Sequence, residues 1–147
     1  MSTPTNVIEQ LQRDEGFRAD IYTDTVGKKT VGYGHNLDAN PLPDLTFPIT
    51  VAQALQILGI DVERISRQLQ LNLPWVVSLD DVRHGVLQNM AFNLGTNGLM
   101  AFHHMLTFLQ AGDYPNTALA MEQSAWFTQV GARAQRLRQQ VLTGIWV

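Results

Sequence analysis

Apolar positions along the chain fall into two regimes, a short mixed stretch and a long helical remainder. Val7, Ile8 and Leu11 recur at helical spacing within residues 5–16, which predicts a short amphipathic helix closed by Gly16. The next segment changes character. Ala19 to His35 is rich in Thr, Val, Ile and Tyr and is punctuated by Gly27, Gly32 and Gly34. That pattern predicts a small β-hairpin or meander turning around Val26-Gly27-Lys28. Pro41, Pro43 and Pro48 then make residues 38–49 a loop.

From Thr50 the helical period returns. Thr50 with Gln53 three positions on has the spacing of a capping box. Val51, Ala54, Leu55, Leu58, Val62, Ile65 and Leu69 then predict a long helix to about Gln70, with an interruption at Gly59 and a close at Pro74. Ser78 is the expected cap of the next helix, which carries Val82, Val86, Met90 and Leu94 every fourth residue. Further helices are predicted over 102–110, 116–124 and 132–142. The breaks between them are Gly95-Thr96-Asn97-Gly98, Gly112-Asp113-Tyr114-Pro115 and Gln129-Val130-Gly131. The class is α+β: a small β-hairpin lobe and a mainly helical lobe joined by a long helix. A cleft between the lobes is the natural place for an extended ligand.

Composition narrows the function classes. With 147 residues, 45% of them apolar, the chain can bury a core as one domain and is too apolar to be disordered. It has no cysteine, so disulfides, thiolate zinc sites and thiol nucleophiles are excluded. No apolar run approaches the ~18 residues of a membrane span. The opening Met1-Ser2-Thr3-Pro4-Thr5-Asn6 has no basic, apolar leader pattern, so a cytoplasmic product without a membrane anchor is expected. A net charge of -3 argues against a protein that coats nucleic acid. That charge is uneven: residues 1–81 carry a net -5 and residues 82–147 a net +2, with Arg133, Arg136 and Arg138 near the end.

The densest chemistry lies at the first helix-to-strand junction. Asp14-Glu15-Gly16 is followed by Tyr22-Thr23-Asp24-Thr25 and by Thr30-Val31-Gly32-Tyr33-Gly34-His35. A Glu at a helix end beside Phe17 suits a general acid, since apolar surroundings disfavour its ionised form. Asp24, nine residues on, supplies a second carboxyl. Two carboxyls flanking one bond are what glycoside hydrolysis needs. Solvated or capping carboxylates would leave the same spacing, so spacing by itself does not choose between these readings.

The full string does. It resembles the phage-type lysozymes, the muramidase endolysins of glycoside hydrolase family 24, whose pattern is Glu-Gly, Tyr-x-Asp and Thr-[Ile/Val]-Gly-x-Gly-His. The resemblance continues at Asn89-Met90-Ala91-Phe92-Asn93-Leu94-Gly95, Ser124-Ala125-Trp126-Phe127, Arg133-Ala134 and Thr143-Gly144-Ile145-Trp146. It implies one lysozyme-like domain over 1–147, with an N-terminal β-containing lobe at about 14–60 and a helical lobe from 1–13 and 61–147. It implies Glu15 as general acid, with Asp24 and Thr30 positioning the attacking water. Asn36, Phe92, Asn93 and Arg133 become substrate-binding candidates, Arg133 for peptide carboxylates, and His35 with Asp61 a structural ion pair. No metal and no cofactor are expected.

The sequence also departs from the family pattern. Val26 stands where many relatives carry a charged residue and Ala125 where some carry an arginine, and Asn36, Met105 and Ala120 do not keep the chemistry of the sugar-lining positions. The expected function is cleavage of the β-1,4 bond between N-acetylmuramic acid and N-acetylglucosamine in peptidoglycan. The expected agent is a monomer made in the host cytoplasm that reaches the wall once a holin opens the membrane. A lytic transglycosylase of related fold and a non-catalytic wall-binding module are the competing readings.

Overall fold

The computed structural model describes residues 2–147. It is an α+β fold: mostly helical, with one small antiparallel sheet. Helix α1 (Val7–Glu15) leads into strands β1 (Arg18–Thr23), β2 (Lys29–Gly32) and β3 (His35–Asn36), in the order β1-β2-β3. The long α2 (Val51–Asn72) and a short 3-10 turn, Pro74–Ser78, follow. Six more helices complete the chain: α3 (Asp81–Leu94), α4 (Thr96–Met100), α5 (His103–Gln110), α6 (Tyr114–Glu122), α7 (Ala125–Val130) and α8 (Ala132–Thr143).

Two compact units result, one formed by Leu11–Arg64 and the other by residues up to Gln10 with Ile65–Val147. In the smaller unit Leu11, Val31, Tyr33, Ile49, Ala54 and Leu58 are buried. Gly32 meets two demands there. Its φ is +66°, and a Cβ would sit 3.3 Å from the Ala54 Cβ. Only glycine meets both without strain. The capping box at the start of α2 closes in both directions: Gln53 N–H donates to Thr50 Oγ1 (3.1 Å), and Thr50 N–H donates to Gln53 Oε1 (2.8 Å).

The larger unit packs Leu69, Val86, Leu87, Met90, Leu99, Met105, Leu109, Met121, Trp126, Leu137 and Val141 into one core. Trp126 is buried and meets Phe102 edge-on at 6.0 Å. Trp146 lies over Gly85 of α3, so close that a Cβ there would fall 2.3 Å from its ring. Arg83 closes the end of α8, donating from Nε to the Val141 carbonyl (2.7 Å) and stacking over Tyr114 at 3.5 Å. That answers carbonyls which the helix leaves without partners.

Several local expectations are corrected. Helix α2 runs unbroken through Gly59, since packing outweighs the ~1 kcal/mol propensity cost of one glycine. Asp80, not Ser78, caps α3, accepting from Arg83 N–H at 3.0 Å. The Gly95–Gly98 break contains the start of α4. Helix α6 begins at Tyr114 because Asp113 caps it and Pro115 stands in its first turn, where a missing N–H costs nothing. Helix α7, capped by Ser124, occupies a stretch read as a connection.

Candidate active site

The acidic junction lies wholly within the smaller unit. Glu15 is the last residue of α1 and is half-buried. Gly16 follows at φ +68° and turns the chain out of the helix, its N–H donating to the Gln12 carbonyl at 3.0 Å. Beside Glu15, the Asp14 side chain is only 1% exposed and takes a 3.0 Å ion pair from Arg13 Nε. Asp14 was absent from the sequence candidates, although the Arg13-Asp14 dipeptide was a signal for it.

The hairpin turn organises the other two candidates. Asp24 Oδ1 accepts from the main-chain N–H groups of Val26 (3.0 Å) and Lys28 (2.8 Å). The Lys28 carbonyl takes the Asp24 N–H (2.9 Å) and the Thr30 hydroxyl (2.9 Å). One residue's main chain thus grips both side chains. Thr30 is buried, at 4% exposure. With its hydroxyl proton committed to Lys28, Thr30 Oγ1 presents only acceptor capacity to a ligand. Asp24 Oδ2 makes no hydrogen bond among the described residues and is likewise an acceptor. Residue type alone gave no signal of the part Lys28 plays, because that part is played by its backbone.

Tyr22 pairs with Thr30 across the β1–β2 ladder and reports on the local field. Its phenol pKa is raised, first by burial and then by the negative charge of Glu15, against the Arg18 guanidinium and with a further push from Asp24. Arg18 lies 4.3 Å over the Tyr22 ring. The two carboxyls therefore both act on one side chain of the hairpin.

Asn36 is Thr30's partner on the other edge of β2. Its Oδ1 accepts from the N–H groups of Asp38 (3.0 Å) and Ala39 (3.1 Å), so that oxygen builds the following turn. The next loop is tied to His35, which is 3% exposed. His35 Nδ1 lies 2.7 Å from Asp61 Oδ2, and Nε2 lies 2.8 Å from the Asn40 carbonyl. Asp61 and the Asn40 carbonyl both accept, so the protonated ring satisfies each of them by donating from both nitrogens. Burial pulls its pKa down, but the hydrogen bond and charge of Asp61, with the Asn40 carbonyl, outweigh burial and Arg64 and leave it raised. Arg64 pairs with the other Asp61 oxygen at 2.9 Å.

Phe92, Asn93 and Arg133 lie in the larger unit. Phe92 packs half-buried against the core. Asn93 Oδ1 accepts the Trp126 indole N–H at 2.9 Å. Arg133 donates from Nε to Asn89 Oδ1 at 2.9 Å. Asn89 is fully buried and is joined to two further buried amides, Gln10 and Gln140. None of the three was a sequence candidate. Each carried the same signal, a polar residue inside an apolar stripe: Val7-Gln10-Leu11, Val86-Asn89-Met90 and Leu137-Gln140-Val141.

A cavity of about 580 Å³ in the same unit is lined by Phe102, His103, His104, Met105, Phe108, Leu119, Ala120 and Ser124 among others. It gathers Met105 and Ala120, both departures from the family pattern. His103 and His104, the first two residues of α5, both line it.

Among known proteins, the sequence profile described as Phage lysozyme matches residues 12–141. The pre-baseplate central spike protein Gp5 of Enterobacteria phage T4 is 30% identical over 95% of this chain, which spans only 28% of that protein's length. Probable T4-type lysozyme 1 of Dictyostelium discoideum is 23% identical, with 95% of each chain covered. The endolysin of Salmonella phage P22 is 30% identical over 65% of this chain and 64% of its own.

Proposed function

The chain belongs to the phage lysozyme family, and on that premise we propose that it hydrolyses the β-1,4 bond between N-acetylmuramic acid and N-acetylglucosamine in peptidoglycan. The grip of the Lys28 main chain on both Asp24 and Thr30 carries this reading. A water bonded to Asp24 Oδ2 and Thr30 Oγ1 directs both hydrogens at the protein and keeps a lone pair for the anomeric carbon. Glu15 donates its proton to the glycosidic oxygen as the carbon–oxygen bond breaks. The water oxygen bonds to the anomeric carbon, and its surplus proton passes to Asp24. Water added on the face opposite the leaving group inverts the configuration. Arg133 binds the carboxylates of the wall peptide, while Asn36, Phe92 and Asn93 contact the glycan.

Glu15→Gln keeps the size of the acid and removes its proton. It should lower turnover of purified peptidoglycan by about 10²–10⁴-fold, the usual worth of a general acid. Mass spectrometry of the wild-type products should show reducing N-acetylmuramic acid ends. Anhydro ends would identify a transglycosylase, and equal rates for wild type and Glu15→Gln would mark a non-catalytic wall binder.

A second reading concerns how the enzyme meets the wall. A holin-dependent endolysin is one route. The match to a spike protein over 95% of the chain favours carriage on a virion, with the lysozyme opening the wall from outside. Recovery of the chain in purified particles would decide for that route, and recovery only in the lysate for the endolysin.

A further inference from the structure

We infer that Tyr22 is a further substrate-binding residue, whose phenol O–H donates a hydrogen bond to the N-acetylmuramic acid unit at the cleaved bond. The inference rests on the hydrolase reading above. Tyr22 stands in the motif that marks the site, yet neither proton donation by Glu15 nor the holding of water by Asp24 and Thr30 uses it.

The sheet fixes where Tyr22 lies. Thr30 of β2 is opposite Tyr22 on one side and opposite Asn36 on the other. Directly opposed residues send their side chains to the same face. Tyr22, Thr30 and Asn36 therefore form a row across one face of the sheet, spanning about 10 Å at the usual spacing of strands. Between Arg18 and Tyr22 the ladder slips, since β1 passes four residues while β2 passes two, from Gly32 to Thr30. Such a bulge re-aims side chains. Here it accompanies an Arg18 guanidinium lying 4.3 Å over the Tyr22 ring. The stack holds the ring by one face, while the hydroxyl lies in the ring plane.

The chemistry of the row calls for a donor at this end. Thr30 Oγ1 and Asp24 Oδ2 offer only acceptor capacity, and Asn36 Oδ1 is taken by its own turn. A sugar in the site carries acceptor oxygens in its N-acetyl carbonyl and hydroxyls, beyond the glycosidic oxygen that takes the Glu15 proton. Tyr22 Oη makes no hydrogen bond among the described residues. Burial and then the charge of Glu15, with Asp24 adding to them, outweigh Arg18 and raise its pKa. The phenol therefore keeps its proton and serves the sugar as a donor.

Tyr22→Phe keeps the ring and the Arg18 stack and removes only the hydroxyl. On purified peptidoglycan it should lower kcat/KM about fivefold, the scale of one ordinary hydrogen bond, with Tm unchanged. Unchanged kcat/KM, or a fall matched by a loss of folded protein, would overturn the inference. In a Glu15→Gln background the glycan is held uncut. There the same substitution should weaken binding of a tetrasaccharide of alternating N-acetylglucosamine and N-acetylmuramic acid about fivefold, read by calorimetry. Equal affinity with and without the hydroxyl refutes the contact. The hydrolase reading fails separately, if Glu15→Gln turns over at the wild-type rate or the products carry anhydro ends.

A pH profile tells donation from mere packing. The O–H is lost as pH rises through the phenol pKa, which lies above the ordinary value of about 10 in the wild type. A ring-fluorinated tyrosine placed at position 22 lowers that pKa and keeps the shape. The alkaline fall of kcat/KM should then move to lower pH, and Tyr22→Phe should show no such shift. A fall that stays in place with the fluorinated residue would overturn the donor role.

Discussion

The two units bury polar groups in opposite ways. The smaller holds a charged centre, in which Asp61 lies between His35 and Arg64 with the Asn40 carbonyl completing the imidazolium's partners. The larger holds neutral amides linked in a line, Asn89, Gln10 and Gln140. A buried charge pair titrates and depends on both partners being present. A buried amide chain does not titrate, and depends on direction and volume. The charged centre should therefore answer to pH and to charge deletion, the amide chain to shape.

The largest effect expected is from Asp61→Asn. It leaves the buried His35 imidazolium without its counter-charge and should cost about 3–5 kcal/mol, read by urea denaturation at neutral pH. A cost below about 1 kcal/mol, the worth of an exposed pair, would erase the contrast between the units. Gly85→Ala comes next, and it attacks shape alone. Its methyl group overlaps the Trp146 ring, so overpacking should cost about 1–3 kcal/mol by the same measurement, with no change in pH dependence. If Trp146 swings away freely, the variant will match the wild type and that contact is not a fixed part of the core.

The gentlest test is the pH profile of stability, because two histidines shift in opposite directions. His35 is raised. Its contribution is complete below the unfolded pKa of about 6.5 and is lost as pH rises through the folded value, with a slope of at most ~1.4 kcal/mol per pH unit. His84, in the larger unit, is lowered by burial, opposed by Asp81. Its folded form holds fewer protons than the unfolded chain, so stability falls as pH drops below about 6.5. Stability should peak near pH 6.5. His35→Gln should flatten the alkaline limb and His84→Gln reduce the acid one, followed by thermal melts across pH 4–9. An alkaline limb that survives His35→Gln would have to come from another group.

Much of this was legible in the linear chain because its physics is local. Thr50 and Gln53 cap α2 from three residues apart, and the glycines between Ala19 and His35 mark a hairpin wherever that hairpin packs. Where packing competes with local preference, the reading failed. Gly59 was expected to break α2, and Asp80 capped α3 in place of Ser78. Of the candidate residues, Glu15, Asp24 and Thr30 were visible through a motif, whereas the Lys28 backbone that holds two of them was not, since any residue has a carbonyl.

By itself the sequence determined the α+β class, the positions of most helices and the family, because periodicity, caps and motifs act over a few neighbouring positions. Only the tertiary structure decided which buried polar groups meet. Gln10 and Gln140 are 130 residues apart and bond at 2.7 Å. Each looked like a blemish in its own helix. A hydrogen bond has a direction and a distance, and these exist only once the helices that carry its two ends are packed.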